Sequence, residues 1–182
     1  MGLAAERIMT NVTIHGARPS EILPAPMQFT KTFESADVRL GSAGPLLLAL
    51  YSGTTSLEML DALDRTQETL LKTYKRISTL TVIGQVAHML KMHDGVRARS
   101  VELGKKYEKN VVGSAIVVTT KGLGAVMVRT FLSGFFLLSR SETPMRTFSK
   151  ISDGLSWLQS LPEQDLQVKT QITSADIERF IA

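Results

Sequence analysis

The sequence predicts an α/β domain with four main helices and a mixed sheet that is opened by a β-hairpin. Three observations predict this fold class. Short apolar segments alternate along the 182 residues with longer segments of helical periodicity. Residues 41–45, Gly-Ser-Ala-Gly-Pro, separate two strand-like segments, as the turn of a hairpin does. The residues Leu46–Tyr51 are apolar at consecutive positions, which is typical of a central strand covered on both faces.

The predicted elements follow the order β-β-α-β-α-β-α-β-α. Thr55 and Glu58 have the spacing of a capping box, which places the start of the first helix at Thr55. Because strands and helices alternate after the hairpin, part of the sheet is predicted to be parallel, with right-handed crossovers. The predicted strands span residues 29–40, 46–52, 80–85, 114–119 and 144–150, and the predicted helices span residues 55–76, 94–109, 122–139 and 152–161.

The domain is predicted to occupy residues 29–162. Residues 1–28 are interpreted as an N-terminal tail, because Pro19, Pro24 and Pro26 interrupt any regular element. Residues 163–182 are interpreted as a C-terminal extension that follows the helix-stopping Pro162. Within it, residues 174–181 have the pattern of a short helix capped by Thr173 or Ser174.

Composition excludes several classes of function. The chain has no cysteine, so it forms no disulfide, no thiolate zinc site and no cysteine nucleophile. Its net charge of +4 is mild and its basic residues are scattered, so no nucleic-acid groove is predicted. The first ten residues lack the long apolar run of a secretory signal, and a cytoplasmic location is predicted.

One apolar stretch, from Val111 to Leu138, is long enough to cross a bilayer. Lys121 and Arg129 interrupt it, and a charge at mid-span costs about 2.5 kcal/mol or more. The stretch is therefore predicted to be a buried strand, a turn and a buried helix. No membrane span is predicted.

The closing segments resemble a known family. Met145-Arg146-Thr147-Phe148, followed by residues 151–158 (Ile-Ser-Asp-Gly-Leu-Ser-Trp-Leu), is similar to the last strand and helix of the STAS-like family. The match is to its SpoIIAA-like group of small bacterial proteins, and Tyr51-Ser52-Gly53 before the first helix is similar as well. The resemblance covers residues 37–161 and implies a non-enzymatic binding or regulatory domain.

Two properties of STAS-like relatives bear on function. Some relatives are switched by phosphorylation of a serine in an Asp-Ser-x-Gly turn between a strand and a helix. Here residues 86–91 read Val-Ala-His-Met-Leu-Lys, so the resemblance implies no such switch. Other relatives bind lipids or small apolar molecules, and this property remains open for the chain.

The turn before residue 126 is a weak candidate for an anion-binding site. It follows a strand and opens a helix, where free N–H groups and the helix dipole favour an anion. It matches neither a dinucleotide fingerprint nor a Walker loop, and a tight turn is the alternative interpretation. The residues of this candidate site are Thr120, Lys121, Gly122 and Gly124.

Other polar residues are predicted to have no catalytic or metal-binding role. His88, His93 and Asp94 lie close in sequence, but a solvated loop explains them better than a metal site. Asp61 and Asp64 lie on the charged face of an amphipathic helix rather than in a catalytic pair. No cofactor is predicted.

The predicted helix 122–139 is apolar around nearly its whole circumference, although a surface helix normally shows a polar face. Either the tails cover it or it meets another subunit. The partner-binding hypothesis rests on four of its residues, Arg129, Phe131, Phe135 and Phe136.

The function predicted from these features is a non-enzymatic protein-interaction or regulatory module that self-associates as a homodimer and has a protein partner of unknown identity. The alternative is a carrier of a lipid or an apolar small molecule. An enzyme has the least support, because titratable groups do not cluster in the sequence.

Self-association through helix 122–139 is predicted to give a dimer in solution. Light scattering coupled to size exclusion measures the mass directly. A clean monomer at ~100 μM, well above ordinary homodimer dissociation constants, would contradict the hypothesis.

Overall fold

The computed structural model of the chain describes residues 27–84, 93–120 and 142–182, together with Gly122, Val126 and Thr130. Six strands and five α-helices lie within these residues. The strands are β1 (Thr30–Glu34), β2 (Val38–Ala43), β3 (Leu46–Tyr51), β4 (Ile77–Ile83), β5 (Val111–Val118) and β6 (Met145–Phe148). The helices are α1 (Leu57–Thr73), α2 (Asp94–Tyr107), α3 (Ile151–Ser160), α4 (Leu166–Gln171) and α5 (Ser174–Ile181), and a 3₁₀ turn, Glu108–Asn110, follows α2.

The strands form one mixed sheet in the order β1-β2-β3-β4-β5-β6. Strands β1, β2 and β3 pair antiparallel, whereas β3, β4, β5 and β6 pair parallel. Between β2 and β3, Gly44 has a φ of 52°, in the left-handed region that glycine adopts without steric cost. The predicted α/β class with a mixed sheet opened by a hairpin is confirmed.

The predicted single strand 29–40 is wrong, because the chain turns between Glu34 and Val38. The hydroxyl oxygen of Ser35 accepts hydrogen bonds from the backbone N–H groups of Asp37 at 3.3 Å and Val38 at 3.1 Å. This serine turn closes without glycine or proline. The sheet therefore begins with three antiparallel strands.

One face of the sheet packs against the three C-terminal helices. The buried residues of this face come from β3, β4 and β5, and Leu155 and Leu158 of α3 cover them. Val168, Ile172 and Ile177 belong to the same cluster, so the segment 163–182, interpreted above as an extension, completes the core on this face. Thr173 is the N-cap of α5 and forms a capping box with Asp176. Of the two predicted cap residues, Thr173 and Ser174, the structure has Thr173.

The other face packs against α1 and α2. Leu40, Ala49, Leu60 and Leu103 are buried in one cluster between the sheet and these two helices. Helix α1 begins at Leu57, two residues later than predicted, because the N-cap is Ser56, whose hydroxyl accepts from the backbone N–H of Met59 at 3.2 Å.

The helix predicted at 122–139 lies mostly outside the described residues. Val126 and Thr130 are described, and both are helical and exposed. Within the part of the chain that the structure describes, no helix is long and apolar enough to cross a membrane.

Replacing Ile177 by alanine is expected to lower the free energy of unfolding by about 2–5 kcal/mol, because the side chain is fully buried. Leu166→Ala is the control from the same segment, since Leu166 is 71% exposed, and its expected change is within about 0.5 kcal/mol. Urea denaturation measures both. Equal, small effects would show that the segment does not stabilise the domain.

Candidate functional site

A cavity of about 240 Å³ lies between the sheet and helices α1 and α2. Strands β3 to β6 form its floor, and the two helices form its roof. It lies next to the apolar clusters through which α1 and α2 contact the sheet. This cavity is the candidate functional site.

The floor is built by the register of four parallel strands. Leu47, Thr79, Ser114 and Met145 lie opposite one another on successive strands and form one row across the floor. The hydroxyl of Thr79 donates to the Ser114 hydroxyl oxygen at 2.8 Å. The centre of this row therefore carries small polar side chains where a closed core has bulky apolar ones.

The next row of the floor is small on β3 and β4, whereas β5 contributes Ile116 to it. It pairs Ala49 of β3 with Thr81 of β4, and both residues line the cavity. Because threonine, serine and alanine fill less volume than leucine or isoleucine, helices resting on the bulkier surrounding residues leave a space over these positions. The cavity follows from the side-chain sizes on these strands.

The roof is mostly apolar. Leu60 and Leu63 of α1 and Leu103 of α2 face the cavity. Gly104 of α2 also lines it at an exposed position, and a Cβ added there would meet no atom of the described residues within 4 Å. The roof thus leaves room for a bound molecule beside α2.

One polar atom in the roof has no partner among the described residues. Gln67 of α1 is 7% exposed and lines the cavity, and its carbonyl oxygen Oε1 accepts no hydrogen bond within the described structure. A buried polar group without a partner costs about 1–3 kcal/mol. Gln67 is the strongest sign that this cavity is more than imperfect packing.

The titratable groups among the described lining residues are two phenols, those of Tyr51 and Tyr107. Burial raises the pKa of Tyr51 to about 12. Burial, together with a hydrogen bond to the Asp64 carboxylate, raises the pKa of Tyr107 to about 12. Both phenols are therefore neutral at pH 7. Tyr51 donates to the sulfur of Met59 and Tyr107 donates to Asp64, so their oxygens remain available as acceptors.

An ionic network at the outer edge of the cavity joins α1 to α2. The Asp64 carboxylate on α1 accepts from Lys106 at 2.7 Å and from Arg99 at 2.8 Å, and it also accepts the Tyr107 hydroxyl proton. Burial alone would raise the pKa of Asp64, but the hydrogen bonds from Lys106 and Tyr107 outweigh it and lower the pKa. The network therefore contains an ionised carboxylate that fixes α2 against α1.

Two further acidic residues of α1, Asp61 and Glu68, support the same interpretation. Asp61 lies 3.3 Å from Arg99, and Glu68 lies 2.8 Å from Lys106. Asp61 and Asp64 thus share a cation between two helices and do not face each other across a pocket as an acid–base pair would.

The structure describes the predicted anion site only in part. The Thr120 hydroxyl donates to the carbonyl oxygen of Gly84 at 3.0 Å, and Gly122 has a φ of 79°, as a tight turn requires. Lys121 and Gly124 lie outside the described residues. The hypothesis of an anion site stays a prediction.

The other predicted site residues are placed as follows. The partner-binding residues Arg129, Phe131, Phe135 and Phe136 lie outside the described residues, as does His88. His93 is the residue before α2. Over residues 27–84, 93–120 and 142–182, no group of acidic or histidine side chains could hold a metal ion.

The sequence analysis missed the cavity residues. Thr79 and Thr81 occupy alternate positions of an otherwise apolar strand, and this alternation of hydroxyls was the available signal. It was interpreted only as strand propensity. Gln67 gave a second signal, because it lies between Leu63 and Leu70 at the spacing of the buried face of α1.

Comparison with known proteins gives one similar structure to report. No protein-family model and no curated protein matches the chain. The chain is similar to the crystal structure of an uncharacterized protein of the DUF3478 family from Shewanella loihica PV-4, which has a SpoIIAA-like fold. The similarity covers 72% of this chain and 93% of that chain, with 16% identity and a TM-score of 0.47. That fold group is the one the closing segments of this sequence resemble.

Replacing Asp64 by asparagine is expected to lower the free energy of unfolding by about 1–2 kcal/mol at pH 7, because charged hydrogen bonds become neutral ones. The folded-state pKa of Asp64 is lowered, so its contribution is complete above the unfolded pKa of about 3.9 and is lost as the pH falls through the folded pKa. Urea denaturation at pH 7 and pH 3 should therefore show a smaller difference from wild type at pH 3.

Asp61→Asn is the control for this network, since Asp61 is 54% exposed and exposed ion pairs contribute little. Its expected effect is within about 0.5 kcal/mol at either pH. An Asp64→Asn effect that did not shrink at pH 3 would contradict the ionised state of Asp64.

Proposed function

We propose that the chain is a non-enzymatic binding domain that holds a small, largely apolar molecule between the sheet and helices α1 and α2. The observation that carries this proposal is the cavity, with apolar walls, a row of hydroxyls and the unpartnered Gln67. Ligand sites in proteins combine these features, an apolar lining with a few polar groups that orient the ligand.

The volume limits the size of the molecule. An apolar cavity of about 150 Å³ holds benzene, so about 240 Å³ accommodates a molecule with somewhat more heavy atoms. Drug-sized ligands occupy pockets of roughly 300 Å³ and more. The sequence left open whether the ligand is a lipid or an apolar small molecule, and the cavity volume favours a small molecule over a lipid with long acyl chains.

The chemistry of the lining favours binding without turnover. General acid–base catalysis needs a group with a pKa near the operating pH. The titratable groups in the described lining are Tyr51 and Tyr107, both with a pKa of about 12. The Thr79 and Ser114 hydroxyls bond to each other, and the described lining offers no base beside them that would activate a nucleophile.

Gly104→Leu is expected to fill the cavity and weaken ligand binding at least tenfold, while the helix tolerates the change because it gains a better helix former. Gly95→Leu is the matched control, since Gly95 also lies in α2 with nothing within 4 Å of an added Cβ but does not line the cavity. The probe is 1-octanol, titrated into protein with ¹³C-labelled methyl groups.

Binding in the cavity should shift the methyl resonances of Leu47, Leu63 and Leu103 in wild type and in Gly95→Leu, but not in Gly104→Leu. Equal affinity of the two variants would contradict the proposed site. Native mass spectrometry of wild type and Gly104→Leu from the same host cells adds a second measurement, in which a co-purified molecule should be absent from Gly104→Leu.

A further inference from the structure

We infer that the molecule bound in this cavity carries an uncharged hydrogen-bond donor, such as an alcohol or amide group, that Gln67 Oε1 accepts. This inference rests on the proposed function and adds the chemical class of the ligand. It comes from two observations, the state of Gln67 and the charges around the cavity.

Gln67 occupies a position where the fold has no use for a polar group. Its neighbours one helical turn away, Leu63 and Leu70, pack against the apolar cluster between α1 and the sheet. Gln67 is buried, with an exposed fraction of 7%, yet its carbonyl oxygen has no donor among the described residues. None of the described residues donates to Oε1, and a molecule that fills the cavity can supply the missing donor.

The charged side chains around the cavity indicate that this hydrogen-bond donor is neutral and that the ligand is not an anion. The described residues lining the cavity include no cation. The nearest basic side chains on α2, Arg99 and Lys106, are bound to acidic side chains, and Asp64 at their centre is ionised. A carboxylate group would lose its hydration in the cavity without gaining a cationic partner, and this loss is strongly unfavourable.

A cationic group is disfavoured as well. Asp64 lies behind the Tyr107 hydroxyl and already accepts three hydrogen bonds, from Arg99, Lys106 and Tyr107. Among the described lining residues, an ammonium group would therefore meet the neutral side chain of Gln67 and hydroxyl groups, and no carboxylate. The lining thus matches an apolar body with a neutral polar end.

Three probes with eight carbon atoms each separate these possibilities. 1-Octanol has a donor, its isomer heptyl methyl ether has only an acceptor, and octanoate has a negative charge. Isothermal titration or methyl NMR measures their affinities for wild type, Gln67→Met and Gly104→Leu. Methionine has nearly the shape of glutamine and removes its polar atoms.

Wild type should bind 1-octanol about tenfold more tightly than heptyl methyl ether, the effect of one hydrogen bond to a buried group, and octanoate most weakly. Gln67→Met should keep the affinity for the ether and lose the preference for the alcohol. Without ligand, Gln67→Met should unfold at the same or a higher urea concentration, because an unpartnered buried group is removed.

The outcomes distinguish the two proposals. Equal affinity for alcohol and ether in wild type, or tighter binding of octanoate, would overturn the inference about Gln67 and leave the cavity as a binding site. A clear fall in the urea midpoint of Gln67→Met would also overturn the inference, since Gln67 would then have a partner within the protein. Failure of all three probes to bind, or binding that Gly104→Leu leaves unchanged, would overturn the proposed function itself.

Discussion

The two faces of β4 differ in side-chain size at the middle of the strand, and the cavity depends on this difference. Toward α3, β4 directs Leu80 and Val82, which belong to the buried core cluster on that face. Toward α1 and α2 the same strand directs Thr79 and Thr81. Because alternate residues of a strand point to opposite faces, one strand can build a closed core and an open floor at once.

Because the small side chains of the strands leave a space below α1 and α2, contacts other than those with these side chains have to hold the two helices in position. Helix α2 meets α1 through Leu103 and Tyr107 on its buried side and through the Asp64 network at its outer edge. Separating the two helices would leave the charges of this network without partners, which is unfavourable. The network therefore fixes the spacing of the two helices. Two helices that are bound to each other thus span the cavity, and they do not collapse onto the small side chains below.

The order of strands and helices follows from local patterns, and this part of the fold was predictable. The turn at Ser35 was missed because a single hydroxyl closes it, and α4 was missed because six residues are too few to show helical periodicity. Thr55 and Ser56 both have cap chemistry, and the burial of Met59 selects Ser56. The floor was beyond prediction because it depends on register, which brings Thr79 beside Ser114, 35 residues away.

Two unfavourable features of the structure, the cavity and the buried carbonyl of Gln67, lie in the same place and together indicate a ligand. A cavity in a protein interior lowers stability, and so does a buried carbonyl without a donor, yet each is common enough alone to need no functional explanation. Here the floor hydroxyls of Thr79 and Ser114 satisfy each other, while Gln67 across the same space has no partner in the described structure. One molecule that fills the volume and donates one hydrogen bond removes both defects. Because such a molecule would bind only the folded state, its free energy of binding would add to the stability of the domain.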